Sequence, residues 1–316
     1  MKKQWIGGFV IVWLFSATCT AAPLVVSLDF FANPNHAPLY VAEALGFFDE
    51  EGVDVEIVVP ANPSDPVKLA AAHAVDIALT PQINYLIARS EGLPLISIGA
   101  LIDHSLGGLL AIADRGFDGL HSLRGGRIGY SLAPLEPILW RTMLSCAGIE
   151  ETDYELVNVG FSTMQALLAG SVDAIGAFRN FEPFQVAFEG HEAVFVKQEA
   201  YCIPLTYEIV FVVHPDLASN RGDELAGFLR ATARAIVRIA EAPEEGLDLF
   251  LQANPDLDDA LNRASYDVTV PLFAIGTRHD DPEVWNVLQA YLAENDLIGR
   301  TFSTEELYTT TYLPNE

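Results

Sequence analysis

Apolar and polar positions along this chain switch repeatedly between a period of two and a helical period. Residues 24–28 form a short apolar run that predicts a buried strand. From His36 to Gly46, Leu39, Ala42 and Leu45 recur at helical spacing, and Gly46 and Gly52 punctuate the end of that helix. Residues 53–58 alternate as a strand, and 65–73 predict a short helix capped by Ser64 or Asp65. Strands over 76–79 and 95–101 flank a helix over 83–90. This βαβ series predicts an α/β layered domain with a largely parallel sheet.

A second series follows Asp114. Arg124-Gly125-Gly126-Arg127 leads into a strand over 128–130, then a helix over 138–147. A strand over 155–159, a helix over 163–169 and a strand over 173–177 come next. Residues 194–197 read as a further strand, and the β-branched run 208–213 closes the series. From Glu224 the pattern is mainly helical. Leu225, Phe228, Leu229, Thr232, Ile236 and Ile239 share one helix face. Arg230, Arg234 and Arg238 form a stripe on another, which reads as a solvated face. Trp285, Leu288, Leu292 and Leu297 mark a final helix before the tail 309–314. Two consecutive α/β units are most economically arranged as two lobes with a cleft between them. The expected lobes are 23–112 with 206–316, and 113–205, hinged near Ala111–Asp114 and Pro204–Val213.

The first 22 residues read differently. Lys2 and Lys3 precede an apolar run from Trp5 to Phe15, followed by the small residues Ser16 to Ala22. That is the layout of a secretory leader cleaved after Ala21, and its apolar run is too short to span a bilayer. Ser16 and Thr18 fit a lipobox around Cys19 poorly, so a leader is preferred over a lipid anchor. No later segment is long and apolar enough to span a membrane. Export leaves Cys146 and Cys202, which fit either a disulfide or two buried thiols, the second being slightly preferred. No CxxC or Cys/His cluster suggests a structural zinc site.

Charge narrows the partners. Of 316 residues, 43 are acidic and 17 basic, a net charge of −26. Phosphate contacts need clustered Lys and Arg, so nucleic acid is excluded as a partner. Catalytic signatures are weak as well. GxSxG and Walker-type patterns are absent, and beyond the leader only Lys68 and Lys197 remain for Schiff-base chemistry.

In open α/β sheets ligands sit beyond the carboxyl ends of strands. The first such loop, Asp29-Phe30-Phe31-Ala32-Asn33-Pro34-Asn35-His36, offers aromatics to stack on a planar ligand and amides and a histidine to hydrogen-bond it. It fits equally a stiff turn with Phe30 and Phe31 in the core. Thr80-Pro81-Gln82 follows another strand. Ser131 to Glu136 runs into a helix start, where free N–H groups favour an acceptor. Phe178-Arg179-Asn180-Phe181-Glu182 sets a carboxylate among aromatics, although Arg179 and Glu182 also suit a surface ion pair. Pro204-Leu205-Thr206-Tyr207-Glu208 precedes the strand at the return crossing.

Taken in order, these pieces resemble a known family. Leu28-Asp29-Phe30-Phe31-Ala32-Asn33-Pro34-Asn35-His36-Ala37-Pro38-Leu39-Tyr40-Val41-Ala42 resembles the opening of the NMT1/THI5-like proteins, with Phe30 where the family usually has tryptophan. The resemblance continues through Gly46-Phe47-Phe48, Asn62-Pro63-Ser64-Asp65, Ser122 to Tyr130, Val172 to Glu182, Tyr207-Glu208-Ile209-Val210 and Thr311-Tyr312-Leu313-Pro314. It implies a two-lobed periplasmic-binding-protein fold of type II, and a non-catalytic receptor that serves an ABC permease and its ATPase. No cofactor is implied.

The Phe178–Glu182 stretch looks like the receptors for the thiamine pyrimidine precursor, an N-formylated aminopyrimidine, or hydroxymethylpyrimidine. By that resemblance Glu182 receives the amine edge of the ring, and Phe30, Phe161 and Tyr207 sandwich it. Asn33, His36 and Gln82 serve its substituents, and Ser131, Glu136, Asn180 and Glu208 complete the candidate set. Riboflavin is the rival cargo; sulfonates, taurine and nitrate fit less well. Fungal relatives are synthases that use a lysine, a histidine and a cysteine cluster. Those positions fall here on Thr80, Asn84 and the segment Ile203 to Glu208, with only Cys202 nearby, so the enzyme reading fails on three points. A sensory module would need a separate signalling partner.

Overall fold

Ten strands build two sheets in the computed structural model, which describes residues 22–160 and 162–315. The expected leader and Phe161 therefore lie outside the described residues, apart from Ala22. One sheet contains β1 (Leu24–Ser27), β2 (Val55–Val58), β3 (Ile77–Thr80), β4 (Ile96–Ile102) and β10 (Ile209–Val213). The other contains β5 (Gly107–Ile112), β6 (Arg127–Tyr130), β7 (Glu155–Asn158), β8 (Ala174–Phe178) and β9 (Ala193–Lys197). Their orders, β2-β1-β3-β10-β4 and β7-β6-β8-β5-β9, follow one plan. In each, the fourth strand is lent by the other half of the chain.

Those lent strands correct the expectation of largely parallel sheets. β10 runs antiparallel to β3 and β4, and β5 antiparallel to β8 and β9. β1–β2, β1–β3, β6–β7 and β6–β8 are parallel. A strand entering from the other lobe is not the product of a βαβ crossover, so nothing forces it parallel.

β5 also moves the expected hinge. Gly107 pairs with Phe178 and Ala111 with Ala174, deep in the second sheet. The outgoing crossing is thus 103–106, upstream of Ala111–Asp114, and the second lobe takes in residues 107–112. The local cause is the Gly107-Gly108 pair. A Cβ on Gly108 would collide with the Val196 carbonyl and the Phe195 ring, so the start of the β5–β9 pairing needs a residue without a side chain there.

Alternation in the first sheet feeds two cores. Ile77, Leu79, Phe211 and Val213 face the helix Gly222–Glu241 through Leu225, Phe228 and Leu229. Ala78, Val210 and Val212 belong to a second core with Tyr85, Trp285, Leu288 and Leu292. That core continues into the second lobe through Leu109, Ile128, Trp140 and Met143. The remaining face of the second sheet has a small core of its own, including Leu110, Leu167, Ile175 and Val186. The arginine stripe lies on exposed surface as expected, with Arg230 2.8 Å from Glu51 and Arg234 2.6 Å from Glu50. Such exposed pairs contribute little.

Cys146 and Cys202 form a disulfide, which corrects the preference for two thiols. Their Cα atoms stand 5.9 Å apart, inside the range a bridge requires. The bond ties the end of the helix Leu135–Cys146 to the return crossing. Among the described residues no helix is long and apolar enough to cross a membrane.

Candidate ligand-binding cleft

The loop after β1 is held from within. His36 is fully buried; its Nδ1 accepts the Asn33 N–H at 3.2 Å, so Nε2 carries the proton and donates to Asp29 Oδ1 at 2.7 Å. Asn33 Oδ1 accepts the Asn35 N–H at 2.9 Å. Both side chains therefore cap the 3-10 turn Pro34–His36, and their polar atoms are engaged by the protein. What they fix in place is Asp29, a carboxylate that sequence reasoning quoted without assigning it a role. Its signal was position alone: the first ionisable residue after a strand. Phe30 and Phe31 are 44% and 66% exposed and meet edge to face at 5.1 Å. They are not core residues, which leaves them free to stack.

Tyr207 is placed differently from the expectation, and Gln82 makes a structural contact through one of its two polar atoms. Gln82 is buried, and its Oε1 accepts the Tyr207 N–H at 2.9 Å. It clamps the return crossing to the end of β3. The Tyr207 ring is only 7% exposed and packs 5.9 Å from Trp285, while its hydroxyl accepts the Asp281 N–H at 3.1 Å. Burial pushes that hydroxyl up to about 12. Tyr207 is thus a core residue with a satisfied hydroxyl, which removes it from the expected sandwich.

On the second lobe, Ser131 and Glu136 act as one unit. Glu136 Oε2 accepts the Ser131 N–H at 2.6 Å, the Leu132 N–H at 3.1 Å and the Ser131 hydroxyl at 3.2 Å. Glu182 opens the helix Glu182–Phe188, and its Oε2 accepts the Phe178 N–H at 2.8 Å. Burial raises the Glu182 pKa; the Phe178 N–H works against this, and the charge of Glu136 reinforces it. Two carboxylates close enough to repel therefore sit beyond the ends of β6 and β8, beside the half-exposed Phe178.

The two crossings are pinned to each other. Ser105 Oγ and Thr206 Oγ1 are 3.0 Å apart, and the Thr206 N–H donates to Ser105 Oγ at 3.0 Å. Glu208 Oε2 accepts the Leu106 N–H at 2.6 Å. Burial above all, with the nearby charges of Asp29 and Glu199 against that of Arg179, raises Glu208 to about 7. Arg179 pairs with Glu199 at 3.1 Å, not with Glu182 as the surface-pair reading expected. Asn180 spans the lobes: its Nδ2 donates to Asn35 Oδ1 at 2.7 Å and to Thr269 Oγ1 at 2.8 Å.

The arrangement thus sets Glu136 beside Glu182 beyond the ends of β6 and β8, and Asp29 beside Glu208 at the end of β1 and the return crossing. The arginine drawn into the same network, Arg179, already has a carboxylate partner. A shallow depression lined by Arg124, Arg127, Asp153 and Glu155 lies at the opposite ends of β6 and β7.

Comparison with known proteins places this architecture. A Haemophilus influenzae protein named for thiamine biosynthesis is 34% identical over 283 residues, covering 89% of this chain and 90% of that one. The formylaminopyrimidine-binding protein of Halalkalibacterium halodurans is 31% identical over 328 residues, covering 98% of each chain. A Legionella pneumophila relative, named 4-amino-5-hydroxymethyl-2-methylpyrimidine phosphate synthase, is 29% identical and covers 91% of each. Among solved structures, the periplasmic aliphatic sulphonate binding protein of Escherichia coli superposes with a TM-score of 0.74 at 16% identity, covering 92% of this chain and 99% of that one. The fold is the two-lobed periplasmic-binding-protein fold. Residues 33–246 match the family described as NMT1/THI5 like, and together with the relatives above this establishes that the chain belongs to the NMT1/THI5-like family.

Proposed function

We propose that this chain is the periplasmic substrate-binding subunit of an ABC importer, and that it carries a thiamine pyrimidine precursor between its lobes. The formylated aminopyrimidine is the preferred cargo and hydroxymethylpyrimidine the next. The observation that carries this reading is the charge of the cleft. Its carboxylates stand as two pairs, Glu136 beside Glu182 and Asp29 beside Glu208, and the arginine near the second pair, Arg179, is itself paired with Glu199. A cleft of that kind favours a ligand that donates hydrogen bonds and disfavours an anion such as a sulfonate. Glu182 is the group for the exocyclic amine, because a charge-assisted bond in a half-buried setting is stronger than a neutral one. Phe30 and Phe178 offer exposed ring faces for the heterocycle. Asn180 would report closure, since it already touches Asn35 and Thr269.

The names of several relatives keep a synthase as the second reading. Against it stand Thr80 and Asn84 at the positions where the resemblance expects the enzymes' lysine and histidine. Thr80 is buried, with its hydroxyl 3.4 Å from the Pro81 carbonyl.

Titration calorimetry with formylaminopyrimidine, hydroxymethylpyrimidine, riboflavin and taurine tests the proposal. The expected result is tight binding of an aminopyrimidine, weakened about 10- to 100-fold by Glu182→Gln, the range a hydrogen bond to a charged group supplies. Riboflavin binding without pyrimidine binding would overturn the cargo. Conversion of any added pyrimidine into product would overturn the receptor reading itself.

A further inference from the structure

Away from the cleft, two histidines and an aspartate meet on the outer side of the first lobe. His73 lies just past the helix Pro66–Ala71, and His214 follows β10 and begins the short helix Pro215–Asn220. Their ring centroids are 3.9 Å apart, tilted by 42°. His214 Nδ1 is 3.6 Å from Asp216 Oδ2. One ligand atom from each of His73, His214 and Asp216 falls within 4.8 Å of the others. The cluster draws on two segments that are far apart in sequence and adjacent only because β10 pairs with β3.

We propose that His73, His214 and Asp216 form a site for one borderline divalent transition-metal ion, Zn²⁺ or Cu²⁺. Three features support this. First, imidazole nitrogen with one carboxylate oxygen is a donor set suited to Zn²⁺ and Cu²⁺, and not to Ca²⁺ or Mg²⁺, which prefer oxygen. Second, the His214 Nδ1 lone pair is already aimed at this corner. It accepts the Asp216 N–H at 3.1 Å, so the ring proton sits on Nε2, and Nδ1 needs no deprotonation to bind a metal. Bonds of about 2.0–2.1 Å bring tetrahedral ligand atoms to separations only slightly shorter than the His214–Asp216 spacing, so a small side-chain rotation closes the chelate. The amide N–H released in the exchange is exposed and can turn to water. Third, the His73 side chain makes no hydrogen bond among the described residues and has only the ring contact with His214. It also occupies a left-handed backbone position, φ 58°, where glycine or asparagine is the unstrained choice. A histidine there presents a free imidazole to its neighbour. Water completes the coordination.

This inference is independent of the cargo. Protein without a polyhistidine tag is titrated with ZnCl₂ and, separately, with CuSO₄, and the Cu²⁺ form is examined by electron paramagnetic resonance. One equivalent should bind with a micromolar Kd, and the copper spectrum should show hyperfine structure from two imidazole nitrogens. His73→Ala and His214→Ala should each weaken binding by more than the roughly 10- to 100-fold that loss of an outer-shell partner costs. Asp216→Asn should weaken it less. Circular dichroism of the variants confirms that they fold, and His73→Asn, which suits the left-handed backbone and removes the imidazole, should weaken binding as His73→Ala does. An unchanged stoichiometry and Kd in the double variant His73→Ala/His214→Ala, or no binding at millimolar metal, overturns the site.

Discussion

Of the edge strands, β4 of the first sheet buries all but its first residue, whereas β7 and β9 of the second have no buried residue, a state the first sheet shows only at β2. The same five-strand plan is thus stabilised in two ways. The first lobe is covered on both faces by helices of the C-terminal region, with Phe228 stacked 5.6 Å from Phe48 and edge-on to Phe211 at 5.3 Å. The second lobe has a small core of its own, shares the larger one, and is tied by Cys146–Cys202 to the return crossing. The hinge closure proposed above would call for one rigid half and one that can be repositioned without unfolding. A covalent tie near the hinge supplies cohesion where burial is thin.

The largest expected effect tests the rigid half. Phe228→Ala should cost about 3–5 kcal/mol in urea denaturation, the range for a fully buried aromatic. Phe195→Ala, in half-buried β9, should cost about 1–2 kcal/mol. Equal losses at the two sites would break the contrast between the lobes.

The disulfide comes next. Replacing both cysteines by serine removes a link between residues 56 apart in sequence and should cost about 2–4 kcal/mol. Hydrogen exchange sharpens the reading: amides of β6, β7 and β9 should exchange faster while those of β3 and β10 stay protected. A uniform acceleration across both sheets would mean that the lobes do not open separately.

The contrast also explains which parts of the molecule were legible in the sequence. Strands whose apolar run is bounded by turn residues were placed within one or two positions, as with Ile77–Thr80 and Ile209–Val213. β5, the apolar run 109–112 behind Gly107-Gly108, was missed although Asp103-His104-Ser105 separates it from β4, and periodicity does not say which sheet a strand joins. Its glycine pair was the available signal. At the candidate site, residue type and position beyond strands pointed to Glu136 and Glu182, which the structure places beside each other. Tyr207 was misjudged because a polar aromatic next to a crossing looks the same whether it faces a ligand or packs in the core, while Gln82 clamps the backbone through Oε1 and keeps a buried Nε2 with no partner among the described residues. Burial alone separates the two cases, and burial is a tertiary property. Glu199, the real partner of Arg179, lies 20 residues away and carried no local signal.

The smallest expected effect lies where the two lobes join, at Glu208. Its carboxyl is raised to about 7 from an ordinary value of 4.5, chiefly by burial, so the fold prefers its protonated form. Its contribution is fully present below about pH 4.5 and is lost as the pH rises through 7. Glu208→Gln keeps an acceptor for the Leu106 N–H and removes the ionisation. The variant should match the wild type at pH 4.5 and exceed it by about 1–3 kcal/mol at pH 8, since one pKa unit is worth about 1.4 kcal/mol. Thermal denaturation at both pH values checks this, and parallel curves would show that Glu208 is solvated in both protonation states. Under the function proposed above, a residue that weakens the join at neutral pH, in a position where glutamine would serve the backbone equally well, is retained for ligand binding. The same substitution should therefore loosen ligand binding while strengthening the empty protein, a trade that no carboxylate serving only the fold would show.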